Sequence, residues 1–172
     1  MVKFLVAGVL VAAIAGCGES RGFAVPDQVC GVKVDSGVLS PLLPKGKQLG
    51  QSRQDKGPGS VSCRVTVDDS LVLYLAQDLT DPGTDAMESR GLQRMGDPAD
   101  VEGVGDRAAV ADRGAKAVVE CTHEGRPRLF VGLVQLERAE PVPADTRERR
   151  DAVLAFLKSW FPAAVSGLGC VS

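Results

Sequence analysis

Apolar and polar residues alternate most cleanly between Ser60 and Val67. Val61, Cys63, Val65 and Val67 fall on one side, and Ser62, Arg64 and Thr66 on the other. A period of two predicts a half-buried strand. Asp68-Asp69-Ser70 reads as a tight turn. Leu71, Leu73 and Leu75, with Val72 and Tyr74 opposite, continue the pattern, so a hairpin is expected here. Residues 101–136 repeat the alternation three times: Arg107–Ala111, Ala115–Cys121 and Arg128–Leu136, separated by Asp112-Arg113-Gly114 and by the polar stretch His123–Pro127. This spacing predicts an antiparallel meander.

The period changes near the C-terminus. From Asp145, Val153, Phe156, Leu157, Trp160 and Phe161 recur on one side of a 3.6-residue repeat. Asp145 followed three residues later by Glu148 is a capping-box pattern, and Pro162 is expected to stop the helix. Thr80–Gly96 suggests a shorter helix with a thin apolar face of Met87, Leu92 and Met95. Asp27–Leu43 reads as an irregular helical entry capped by Asp35 or Ser36, and Gly46–Gly59 as a polar loop. The expected fold is therefore α+β. An antiparallel sheet of about five strands carries a long C-terminal helix on one face, with shorter helices at the N-terminus and mid-chain.

The first residues follow a different logic. Lys3 precedes an apolar run from Phe4 to Ile14, and Ala15-Gly16-Cys17 closes it. A positive start, about 7–15 apolar residues and a small-residue cut make a signal peptide. The run is too short to span a bilayer, which takes about 20 apolar residues. Ile14-Ala15-Gly16-Cys17 resembles the lipobox of bacterial lipoproteins, which implies cleavage before Cys17 and a diacylglyceryl thioether on its sulfur. The bland alternative is an ordinary signal peptide with a cysteine near the cut. Residues 1–16 are thus expected to be removed, 17–27 to form a flexible tether, and 28–172 to form a single exported domain.

Export changes the meaning of the remaining cysteines, Cys30, Cys63, Cys121 and Cys170. An even number outside the cell suggests disulfides. Three connectivities are open. Cys30 with Cys63 and Cys121 with Cys170 is favoured, because the first pair ties the domain's entry to its first strand and the second pins the tail beneath the sheet. Four buried thiols are the alternative. Zinc-type spacing is absent, with no CxxC and one histidine, His123.

Charge and motif exclude more than they assign. The net charge is −2, and −3 once Lys3 is lost, which is no nucleic-acid footprint. Arg147, Arg149 and Arg150 read as a solvated helix face, or, more sharply, as a patch for an anionic partner. Gly46-Lys47 lacks the other elements of a phosphate loop, and Gly103-Val104-Gly105 lacks the third glycine of a dinucleotide fingerprint. Cys121 with His123 has the residue types of a nucleophile and base, but a disulfide and a surface histidine explain them better. The carboxylates near Asp97–Asp106 (Asp97, Asp100, Glu102, Asp106) are the one acid cluster an envelope hydrolase would use, although turns and caps account for them.

Several of these features occur together in a known group. The lipobox, Cys30 ahead of Leu42-Leu43-Pro44, Ser62-Cys63-Arg64 in the first strand and Gly103-Val104-Gly105-Asp106-Arg107-Ala108 before a later one resemble small actinobacterial cell-surface lipoproteins of a domain-of-unknown-function family. Many members carry Trp where Val65 stands. The resemblance implies an α+β domain with an antiparallel sheet packed by helices, and supplies no activity and no binding residues.

The functional expectation is a lipid-anchored protein on the extracytoplasmic face of the cell membrane, held to the bilayer through Cys17. It has no cofactor, no metal and no nucleic-acid partner. It would act as a non-catalytic module that binds a small apolar or envelope-derived ligand, or docks a membrane protein. The expected cleft lies between sheet and helix at Val153, Phe156, Leu157 and Trp160. A structural or assembly lipoprotein is a further alternative.

Overall fold

A computed structural model describes residues 21–88 and 90–171; Cys17 and the leader before it lie outside the described residues. The chain opens with a two-stranded ribbon, β1 (Gln28–Val29) and β2 (Val32–Lys33), followed by one helical turn, α1 (Ser36–Leu39), and a 3-10 turn at Ser40–Leu42. Asp35 caps α1 by accepting from the Gly37 N–H at 2.7 Å. A seven-stranded antiparallel sheet follows. Its strands are β3 (Leu49–Gly57), β4 (Ser60–Val67), β5 (Ser70–Thr80), β6 (Ala99–Val101), β7 (Arg107–Ala111), β8 (Gly114–His123) and β9 (Arg126–Leu136). Their order across the sheet is β3-β4-β5-β9-β8-β7-β6. Two meanders, β3–β5 and β6–β9, are thus zipped together where β5 pairs with β9. One turn, α2 (Arg90–Gln93), precedes β6, and the long helix α3 (Thr146–Gly167) ends the domain.

The α+β expectation holds, but about five strands was an undercount. The two extra strands, β3 and β6, are short of apolar residues. Residues 51–57 of β3 are exposed throughout, so the sequence looks like a loop. Ladder hydrogen bonds to β4, from Leu49 opposite Val67 to Gly57 opposite Ser60, make it an edge strand. The predicted hairpin is β4–β5, with Asp68 and Asp69 both at positive φ in its turn. A register shift beyond Val65 interrupts the simple alternation, so Val72 and Leu73 are both buried.

The predicted helix at Thr80–Gly96 is reduced to α2. Its thin apolar face is used differently. Leu92 and Met95 pack on Ala109 and Ala111, and Ala86 and Met87 lie over Val118, Leu129 and Val131. The segment therefore roofs the sheet face opposite α3. Lys116 is buried beneath it and donates to the Ala86 carbonyl at 2.7 Å. Burial lowers the ammonium pKa, and the nearby Asp78 carboxylate opposes that shift.

On the other face, α3 runs antiparallel to β9. Asp145 caps it, accepting from the Glu148 N–H at 2.9 Å. Val153, Phe156, Leu157, Trp160, Phe161 and Ala164 are buried against Phe130, Val134, Leu75 and their neighbours. Pro162 does not end the helix. Phe161 and Ala164 continue the buried stripe across it, so packing carries α3 on to Gly167 despite the lost hydrogen bond.

Of the arginines at the start of α3, Arg147 is exposed as expected, but Arg149 and Arg150 do not form a solvated face. Arg149 is buried, and its guanidinium donates to the carbonyls of Asp112, Pro143 and Ala144 and to the Thr146 hydroxyl. Arg150 pairs with the Asp112 carboxylate at 2.8 Å and donates to the carbonyls of Asp97 and Val110. These two side chains lash the helix start to the β7–β8 turn.

Disulfides join Cys30 to Cys63 and Cys121 to Cys170. The stretch expected as a tether is held from Arg21 onward. Its guanidinium donates to the Ser40 hydroxyl and to the carbonyls of Ser40 and Leu43 at 2.6–2.7 Å. The Gly22 N–H donates to the Gly46 carbonyl, and Phe23 and Val25 pack on the core.

One acid fixes the loop beside that entry. The Asp68 carboxylate accepts from the N–H groups of Gln48 and Lys47, which holds its pKa below the ordinary 3.8. A depressed folded-state pKa contributes stability above the unfolded value and loses it as pH falls through the folded one. The stability gap between the native chain and Asp68→Asn should thus be flat near neutrality and shrink below pH 3.8. Urea titrations across that range would show it; a gap constant down to about pH 2 refutes the role.

Candidate functional site

The four residues expected to line a cleft, Val153, Phe156, Leu157 and Trp160, have no exposed surface at all. They are the centre of the core, since an amphipathic stripe facing a sheet of this width is simply covered by it. The apolar opening that does exist lies one turn further along.

It forms where α3 overruns Pro162. Val165 and Pro162 supply the helix side, Val119 and Gly105 the sheet side, and Cys170 and Val171 the far wall. The tail is held there twice. Cys170 is bonded to Cys121, and Val171 exchanges backbone hydrogen bonds of 2.8 and 3.0 Å with Thr122. Gly105 sits at φ +58°, and a Cβ there would strike the Val118 carbonyl and the Phe161 ring, so only glycine lets the β6–β7 turn lie this close. The resulting groove encloses about 360 Å³. That is at the small end of the volumes, about 300–1,000 Å³, that hold small ligands. Ser166 is its one polar side chain apart from backbone. Val171, 68% exposed, is the outstanding large apolar side chain left to solvent among the described residues.

A second opening of about 290 Å³ lies at the same end of the sheet, between the β3–β4 and β8–β9 turns. It is polar. Arg128 is paired with Asp81 at 2.6 Å and also donates to the Leu79 carbonyl, while His123 approaches Glu124 at 3.9 Å. Cys121 holds no thiol, so a Cys–His nucleophile is absent here.

Asp97, Asp100, Glu102 and Asp106 are all exposed. Asp106 caps the β7–β8 region by accepting from the Glu120 N–H at 2.7 Å. No dry cleft brings these acids together, and among the described residues no group of three or more His, Cys, Asp or Glu is placed to hold a metal ion. No described helix is long and apolar enough to cross a membrane.

The sequence missed this groove because its walls come from residues 105, 119, 165 and 171, which no local pattern links. The available signal was that Val165, Leu168 and Val171 stay apolar beyond Pro162. Comparison with protein families, curated proteins and solved structures gives no match.

Proposed function

We propose that this chain is a lipid-anchored extracytoplasmic module that binds a small apolar, envelope-derived ligand without catalysis. One observation carries the binding reading: an apolar groove at the end of α3, walled by a disulfide-held tail, with Val171 exposed at its rim. Exposed apolar surface in a concave setting is what a hydrophobic ligand covers. The Ile14-Ala15-Gly16-Cys17 sequence supports attachment to the membrane and export, and the resemblance to actinobacterial surface lipoproteins agrees with it. The hydrolase alternative has weaker support, because its candidate acids stand in water.

Val171→Asp tests the binding site with little risk to the fold, since the side chain is already exposed and its backbone makes the contacts to Thr122. Burying one such side chain is worth about 1.5–3 kcal/mol. A fluorescent long-chain fatty acid should therefore bind the native domain saturably and the variant at least about tenfold more weakly. Equal affinity, or no saturable binding to the native domain, refutes the groove as the site.

A further inference from the structure

The two ends of the sheet differ, and the chain enters at only one of them. α3 starts beside the β7–β8 turn, through Arg149 and Arg150, and finishes beside the β8–β9 turn, through Cys170. At 1.5 Å per residue its 22 residues span about 33 Å. The groove lies at the finishing end. Residues 21 and 22 are docked at the starting end: Gly22 bonds to Gly46, and the loop at 46–48 is bonded to Asp68 in the β4–β5 turn.

This geometry sets how an anchor would hold the domain. From Cys17 to the first docked residue, Arg21, is four residues, a reach of at most about 14 Å when fully extended. Had the chain been loose to residue 28, the reach would be about 40 Å and the domain would sample any pose. Beside the docked entry, Lys45 and Lys47 are exposed. The Asp68 carboxylate accepts from the Lys47 and Gln48 N–H groups and, like Asp69, is exposed, so the two lysines share this end with two acids and the short reach from Cys17 is what sets the pose. Cations next to a bilayer are drawn to anionic headgroups.

We propose that this end of the sheet, with Lys45 and Lys47, rests on the phospholipid headgroups, so that the apolar groove faces away from the membrane that anchors the chain. The inference rests on the lipid-anchor reading of Cys17 and adds to it a membrane-contact surface and a direction. A ligand reaching the groove then arrives from the cell-wall side rather than sliding in from the chain's own bilayer.

The test uses the full chain, acylated in the cell, extracted and reconstituted into vesicles of phosphatidylcholine and phosphatidylglycerol. A fluorophore is placed on Ser70→Cys at the entry end or on Arg126→Cys at the groove end, with headgroup spin-labelled lipid as quencher. Quenching should be several-fold greater at position 70. Lys45→Glu with Lys47→Glu should still float with the vesicles, because the acyl chains hold it, yet lose most of the quenching at position 70. Equal quenching at both sites, or more at 126, with flotation intact, overturns the pose alone. An intact mass without the diacylglyceryl group, or failure to float, overturns the anchor and the pose with it.

Discussion

Trp160→Ala should lower the unfolding free energy by about 3–5 kcal/mol, the cost of emptying a large buried aromatic site. Trp160 has no exposed surface, stacks on Phe156 with ring centroids 6.4 Å apart, and lies over the space left by Gly132. A domain of this size has about 5–15 kcal/mol in all, so the variant would sit near the edge of folding. Far-UV circular dichroism in urea is the right measurement, because Trp160 is the sole tryptophan. Trp160→Phe should be much milder. It keeps a ring in the stack and removes an indole N–H that meets no acceptor among the described residues. If Trp160→Ala left stability within about 1 kcal/mol of the native chain and abolished ligand binding instead, the residue would belong to a cleft and the core assignment would fail.

Cys121→Ser combined with Cys170→Ser should cost about 4 kcal/mol, and should also abolish capture of the apolar probe. The bond spans 49 residues, and the chain-entropy model gives about 4 kcal/mol for a loop of that length. The tail beyond α3 would then be joined to β8 by the Thr122–Val171 backbone pair without a covalent tie, with Cys170 and Leu168 otherwise held to the end of α3 and the core. Its loosening removes the wall that Cys170 and Val171 give the groove. Two readouts separate the effects: urea unfolding for stability, and probe titration under conditions where circular dichroism shows the variant folded. Binding that survives in the folded double variant would show that the tail is no part of the site. An unfolding free energy within about 1 kcal/mol of the native chain would show that the crosslink does not constrain the unfolded state as the loop model requires.

Arg149 and Arg150 show where local reading fails. Three arginines within four residues at a helix start look like solvent-facing charge, and they oppose the helix dipole. Arg147 does face solvent, but Arg149 and Arg150 are fixed by the carbonyls of residues 143 and 144 and by those of 97, 110 and 112, which reach that point only when the β7–β8 turn meets the helix. Residues 80–96 failed for a related reason. Met87, Leu92 and Met95 are spaced loosely enough for a helix, yet the sheet below takes them one at a time.

By itself the sequence determined those elements whose apolar period is strong and whose ends carry caps or turns: β4 with the β5 hairpin, the β7–β9 meander, and α3 with its Asp145 cap. It also determined the α+β class. These depend on neighbours within a few residues, so the chain specifies them locally. Only the tertiary structure decided that polar Leu49–Gly57 is a strand, that α3 passes through Pro162, and that Val153, Phe156, Leu157 and Trp160 are sealed while an opening forms beyond them. Each of those outcomes depends on a packing partner: β4, next in the chain, gives polar β3 its ladder, while the distant sheet covers the helix stripe and the distant Cys121 and Thr122 hold the tail. A strand's ladder bonds and a groove's walls are properties of what comes to lie alongside, and the residues themselves carry no local mark of it.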